Sequence, residues 1–182
     1  MKTQAIKTQA IAFLAALAMG CAVTASQAAN AASEDAALNG AKVSLTDAIG
    51  VAEQQGSGQA ISADYAAKKG AMGHYDIKVL SSDGSKLVKY RVSPSTGKVK
   101  EASNEPFEKV FTRIKPQDLQ NAQTSLKKAI KTAEEQGDGK AVSADTDRSG
   151  NQVRYTVKVA KADGTTEKVK INGADGKVAS AQ

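Results

Sequence analysis

The chain has 182 residues, a formal net charge of +6, one cysteine, one histidine, no tryptophan and only 4% aromatic residues. A modest, dispersed positive charge without interleaved aromatics excludes a dedicated nucleic-acid surface. With so few titratable sulfur and imidazole groups, neither a His/Cys zinc cluster nor a Ser-His-acid or Cys-His catalytic set can be assembled.

Residues 1–31 read as a secretory signal peptide. Lys2 and Lys7 precede the apolar run Ala10–Met19, and small residues at Ala29 and Ala31 suit cleavage after Ala31, with Ser26 and Ala28 offering a second choice. That run is too short to span a bilayer. Leu17-Ala-Met-Gly-Cys21 resembles a lipoprotein processing site, which makes Cys21 a candidate for lipidation, although Ala18 stands where a larger aliphatic residue is usual. The expected product is soluble in the periplasm or secreted, with a lipid-anchored envelope protein as the alternative. Loss of Lys2 and Lys7 lowers the net charge from +6 to +4.

Residues 32–43 read as a flexible lead-in. Ser44 is an N-cap with Asp47 completing a capping box, and Leu45, Ala48, Ile49 and Ala52 recur at helical spacing. Gly56 and Gly58 are expected to stop that helix. A short strand around Ile61 follows, then a loop over 64–73. Tyr75, Ile77 and Val79 alternate with Asp76 and Lys78, Ser82-Asp-Gly84 marks a turn, and Val88, Tyr90 and Val92 alternate with Lys89 and Arg91. Lys98-Val-Lys100 adds a final extended piece.

The same grammar returns 81 residues later. Ser125 caps a helix with the stripe Leu126, Ala129, Ile130 and Ala133, closed by Gly137 and Gly139. Val153, Tyr155, Val157 and Val159 alternate with Arg154, Thr156 and Lys158, and Val169 and Ile171 line the return strand after Asp163-Gly164. A helix laid on one apolar face of an antiparallel sheet satisfies each pattern. The expected fold class is therefore α+β, as two tandem units, each one helix packed on a three-stranded antiparallel sheet. The expected domains are 44–103 and 124–182. The connecting segment 104–123 carries Phe107, Val110, Phe111 and Ile114 between Pro106 and Pro116, which reads as a packed joint or a floppy linker.

Leu45-x-x-Ala-Ile49, Ala52-Glu53, Gly58-x-Ala-Ile61, Tyr75-x-Ile-x-Val79, Asp83-Gly84, Val88-x-Tyr-x-Val92 and Gly97-Lys-Val99, with their counterparts from Leu126 to Val178, together resemble the PepSY domain. That resemblance covers most of the chain after residue 43, twice. It implies a small non-catalytic module of exported bacterial proteins, of the kind proposed to restrain peptidases or help partners mature. No peptidase domain follows in the sequence, so any target is a separate protein.

The remaining candidates are few. His74 stands at a strand entrance, where it is a loop-edge polar residue or a ligand. Asp145, Asp147 and Ser149 follow the opening rhythm of a calcium loop ending at Gly150, but Thr156 occupies the position that needs a bidentate glutamate. Glu53 and Glu134 are expected on solvated helix faces. Lys78, Lys89 and Arg91 in the first unit, and Arg154, Thr156, Lys158, Lys168 and Lys170 in the second, form outward basic strips. These serve as ordinary solvated strand positions or as a docking face for an acidic or extended partner, through side chains or a free strand edge. The expected function is a non-catalytic interaction module, not an enzyme, which modulates an extracytoplasmic peptidase or another envelope protein. A metal-ion or small-ligand sensor built on His74 and the Asp145 segment is the alternative. No cofactor and no nucleic-acid partner are expected, and membrane contact only through Cys21.

Overall fold

The computed structural model describes residues 38, 40–68, 71–106 and 114–182. The expected signal peptide with Cys21, and Phe107, Val110 and Phe111, lie outside the described residues.

Two twelve-residue helices form where the capping signals stand. Helix α1 (Leu45–Gly56) begins at Ser44, whose Oγ accepts from the Asp47 N–H at 3.1 Å while the Asp47 carboxylate accepts from the Ser44 N–H. Helix α3 (Leu126–Gly137) begins at Ser125 in the same way, without the reciprocal carboxylate because Lys128 occupies that position. Between them, among the described residues, lies a short helix, α2 (Pro116–Asn121). Both long helices end on a non-glycine residue in the left-handed region, Ser57 and Asp138. The flanking glycines serve close approach instead. A Cβ on Gly58 would stand 2.0 Å from the Leu80 carbonyl oxygen, and one on Gly139 2.2 Å from that of Ala160.

The strands are β1 (Gly58–Lys68), β2 (Ala71–Ser81), β3 (Leu87–Val92), β4 (Val99–Asn104), β5 (Gly139–Ser149), β6 (Gln152–Lys161), β7 (Thr166–Asn172) and β8 (Val178–Ala181). They form one antiparallel sheet in the order β4-β3-β2-β1-β5-β6-β7-β8. This corrects the expected fold class: each half supplies four strands, and the halves are not separate units on three-stranded sheets but share one continuous sheet. The physical reason lies at β1 and β5. A four-stranded unit alone would leave β1 as an exposed edge, and pairing β1 with β5 removes two such edges at once. The join is centred on Ala63 opposite Ala144, flanked by Ser62 opposite Asp145 and Asp64 opposite Ser143. Ala63 and Ala144 lie 81 residues apart, so equivalent residues meet at the seam, as at a twofold axis.

The segment expected as a loop over 64–73 is mostly strand, since β1 runs on to Lys68 and β2 starts at Ala71. A β-bulge at Ile61, matched by one at Val142, breaks the two-residue period and hides the continuation of each strand.

One sheet face is roofed by the two long helices. Leu45, Ala48, Ile49 and Ala52 from α1, with Leu126, Ala129, Ile130 and Ala133 from α3, are buried over Ala63, Tyr75, Ile77, Val92, Ala144, Tyr155, Val157 and Ile171. Full burial of each Ile or Leu contributes about 1.5–3 kcal/mol. The Tyr65 and Tyr75 rings meet edge to face at 5.6 Å. Leu38, in the expected lead-in, is only 4% exposed, and Leu119 in α2, again 81 residues on, is 8% exposed. Ile114, in the same connecting segment, is buried as well.

Candidate interaction surface

Among the described residues the other sheet face carries no helix, and the charged residues of the strands gather there. Its two halves differ in how their charges are compensated. In the first half, Arg91 bonds Asp76 at 3.3 Å and Glu101 as well, and Glu105 receives both Lys78 at 3.8 Å and Lys89 at 3.5 Å. His74 is committed in the same way, 3.4 Å from Asp76. All three basic candidates of this half are thus held by carboxylates.

In the second half the carboxylates around the equivalent of Arg91 are replaced, although Asp147 faces Arg154 across the ladder. Register places Thr156 where the first half has Asp76, and Ser180 where it has Glu101: Arg91 faces Asp76 and Glu101 across the ladder, and its equivalent Lys170 faces Thr156 and Ser180. Among the described residues, Arg154, Lys168 and Lys170 form no ion pair within 4 Å, whereas Lys158 is engaged within the fold. Arg154 and Lys168 are exposed, and Lys170 and Thr156 are half-buried. Sequence alternation located the basic strip; only the pairing register shows that one half of it is neutralised.

At the seam the open face turns acidic. Asp64 lies beside Asp145, and burial together with that neighbour raises its carboxyl above the usual range, opposed by a hydrogen bond from Ser62 Oγ at 3.1 Å and by Lys78. Asp145, Asp147 and Ser149, the calcium-loop candidates, belong to the extended strand β5 and not to a loop. Same-face neighbours on a strand are spaced about 7 Å apart, too far for three such residues to close on one ion. Among the described residues no group of three or more His, Cys, Asp and Glu side chains is placed to hold a metal, and no helix is long and apolar enough to cross a membrane.

The roofed face holds two related clefts where the helices meet the seam. Glu53 lines one of about 330 Å³ and Glu134 one of about 400 Å³. Neither glutamate is simply solvated, as sequence reading expected. Glu53 Oε1 accepts the Ala60 N–H at 3.0 Å and Glu134 Oε1 the Ala141 N–H at 2.9 Å, so each ties its helix to the strand beside a bulge. Their recurrence at the 81-residue offset was the available signal. Lys127 of α3 bridges to Glu53 of α1 at 2.7 Å. The equivalent residue on α1 is Thr46, which cannot do the same for Glu134, and burial raises the Glu134 carboxyl above the usual range. Tyr75 and Tyr155 hydroxyls donate to the Val43 and Thr124 carbonyls, and burial pushes both phenols up to about 12. These groups hold structure together; none forms a nucleophile–base pair.

Residues 124–181 match the family model described as "Peptidase propeptide and YPEB domain", PepSY. No curated protein matches the chain. Among solved structures, a candidate lipoprotein from Clostridium difficile 630 aligns at 15% identity with a TM-score of 0.45, over 78% of this chain and 93% of that one. A likeness at that level bears on neither mechanism nor location. The matched domain is a regulatory, non-catalytic one. The matched stretch comprises α3 and β5 to β8.

Proposed function

We propose that the protein is an exported, non-catalytic binding module that modulates an extracytoplasmic peptidase or another envelope protein, and that it docks through the open sheet face of its second half. In this reading residues 44–103 are a second PepSY-like unit beside the one at 124–182, with 104–123 as their joint. Export rests on the signal-peptide pattern of residues 1–31, with lipidation at Cys21 as its anchored variant.

One observation carries the docking assignment. The acids that neutralise Arg91 in the first half, Asp76 and Glu101, are replaced by Thr156 and Ser180 around Lys170. The first half is thereby a closed charge network, and the second presents Arg154, Lys168 and Lys170 to an acidic surface. Such complementarity speeds encounter and selects partners more than it raises affinity, so the interaction should weaken with salt.

The test is capture from the envelope fraction on tagged protein, alongside titration against a panel of extracytoplasmic peptidases. A partner or an inhibited peptidase that is lost with Lys168→Glu/Lys170→Glu, and retained with Lys89→Glu, supports the assignment. Unchanged activity across the panel together with no salt-sensitive capture would sink it.

A further inference from the structure

Among the described residues the sheet has two unpaired edges, β4 and β8, and they are unequal. Edge strand β4, Val99–Asn104, carries Lys100 and Glu101, charges that discourage pairing by another strand. Edge strand β8, Val178–Ala181, carries no charge and no proline. Lys168 and Gln182 exchange both backbone hydrogen bonds, at 2.7 and 3.0 Å. By the alternation of an antiparallel ladder, the Ala181 N–H and C=O therefore point away from β7. Among the described residues no strand pairs with that side.

We propose that β8 takes up an extended segment of the partner as a ninth strand, with acidic residues at alternate positions and apolar residues between them. This rests on the second half being the docking half. The chemistry follows from the two faces of β8. Ser180, opposite Lys170, lies on the open face and is short. An added strand stands about 5 Å from β8 and about 10 Å from β7. A glutamate on the open face of that strand and the lysines of β7 bridge the gap over Ser180. On the helix-covered face, Val178 packs at the margin of the core, and an apolar residue beside it extends the buried surface. Main-chain bonds supply affinity and the alternating side chains supply selectivity, as in other strand-addition complexes.

The probe is a labelled peptide, acetyl-Val-Glu-Val-Glu-Thr-Glu-Val-amide, with a control carrying lysine in place of each glutamate. Polarisation titration should show binding of the glutamate peptide that weakens about tenfold or more as salt is raised well beyond physiological strength, with no binding of the lysine peptide. Ala181→Pro deletes an outward N–H without removing a ladder bond, and should weaken binding about tenfold or more at unchanged thermal midpoint. If Ala181→Pro unfolds the strand, exchange protection of the Ala181 amide in the unmodified protein on peptide addition decides instead. Binding that survives Ala181→Pro but is lost in Lys168→Glu/Lys170→Glu overturns strand addition and leaves the docking face standing. No binding of the glutamate peptide, or no added protection at Ala181, overturns the proposal outright.

Discussion

Glu53 and Glu134 do the same structural work in different electrostatic settings, and replacing each in two ways separates the contributions. Truncation of Glu53 to alanine leaves the part-buried Ala60 N–H without its acceptor and breaks the 2.7 Å bridge to Lys127. An unsatisfied amide costs about 1–3 kcal/mol, and a half-exposed ion pair adds at most about 1 kcal/mol. For a protein of this size each kcal/mol lowers the melting temperature by roughly 2–4 °C, so the expected fall is roughly 2–16 °C. Glu53→Gln keeps the acceptor oxygen and loses only the bridge, so its loss should stay within about 1 kcal/mol. At Glu134 the order changes. Burial disfavours its charge more than Lys131 and Lys140 favour it, so Glu134→Gln should be neutral or stabilising at neutral pH while Glu134→Ala still loses the bond to Ala141. Urea midpoints of the four variants measure this. Equal stability of Glu53→Ala and Glu53→Gln, to within about 0.3 kcal/mol, would refute the tether.

The glycines around each helix end give a second contrast. Gly58→Ala and Gly139→Ala drive a Cβ into backbone carbonyls and should each cost more than about 3 kcal/mol, whereas Gly50, mid-helix with nothing within 4 Å, should gain about 1 kcal/mol as alanine; thermal denaturation ranks all three. Thr146 stands where the first half has Tyr65, and its hydroxyl is buried without a partner, so Thr146→Val should raise stability by about 1 kcal/mol in the same assay. Asp64 holds its proton more tightly folded than unfolded. Its contribution is therefore fully present below the unfolded pKa and is lost as pH rises through the folded one. Asp64→Asn should accordingly be the more stable protein at pH 7, with the difference closing as pH falls toward the ordinary carboxylate range; a difference independent of pH would contradict this.

Much of the core was legible because it rests on periodicity. Ser44 and Leu45 to Ala52 announce a capped amphipathic helix, and Tyr75, Ile77 and Val79 announce a half-buried strand. What escaped reading has physical causes. The bulges at Ile61 and Val142 shift the alternation, so Asp64-Tyr65-Ala66 reads as loop although Tyr65 is buried. The edge strands β4 and β8 bury little and show no apolar alternation, so of β4 only its start, within Lys98-Val-Lys100, was read. The seam rests on two alanines, residues that carry no pairing signal by themselves, and the number of sheets therefore could not be read. The basic strip was visible as alternating lysines. Its one-sided neutralisation was not, because Asp76, Arg91 and Glu101 become neighbours only once three strands are in register.

Everything proposed about the open face depends on β1 lying against β5, and backbone NMR addresses that contact directly. Interstrand NOEs linking Ala63 with Ala144, Ser62 with Asp145 and Asp64 with Ser143 are the expected result. Slow amide exchange through residues 62–64 and 143–145 should accompany them. Rapid exchange along both segments, with no NOE between them, would contradict a continuous sheet and with it the single surface on which the partner is placed.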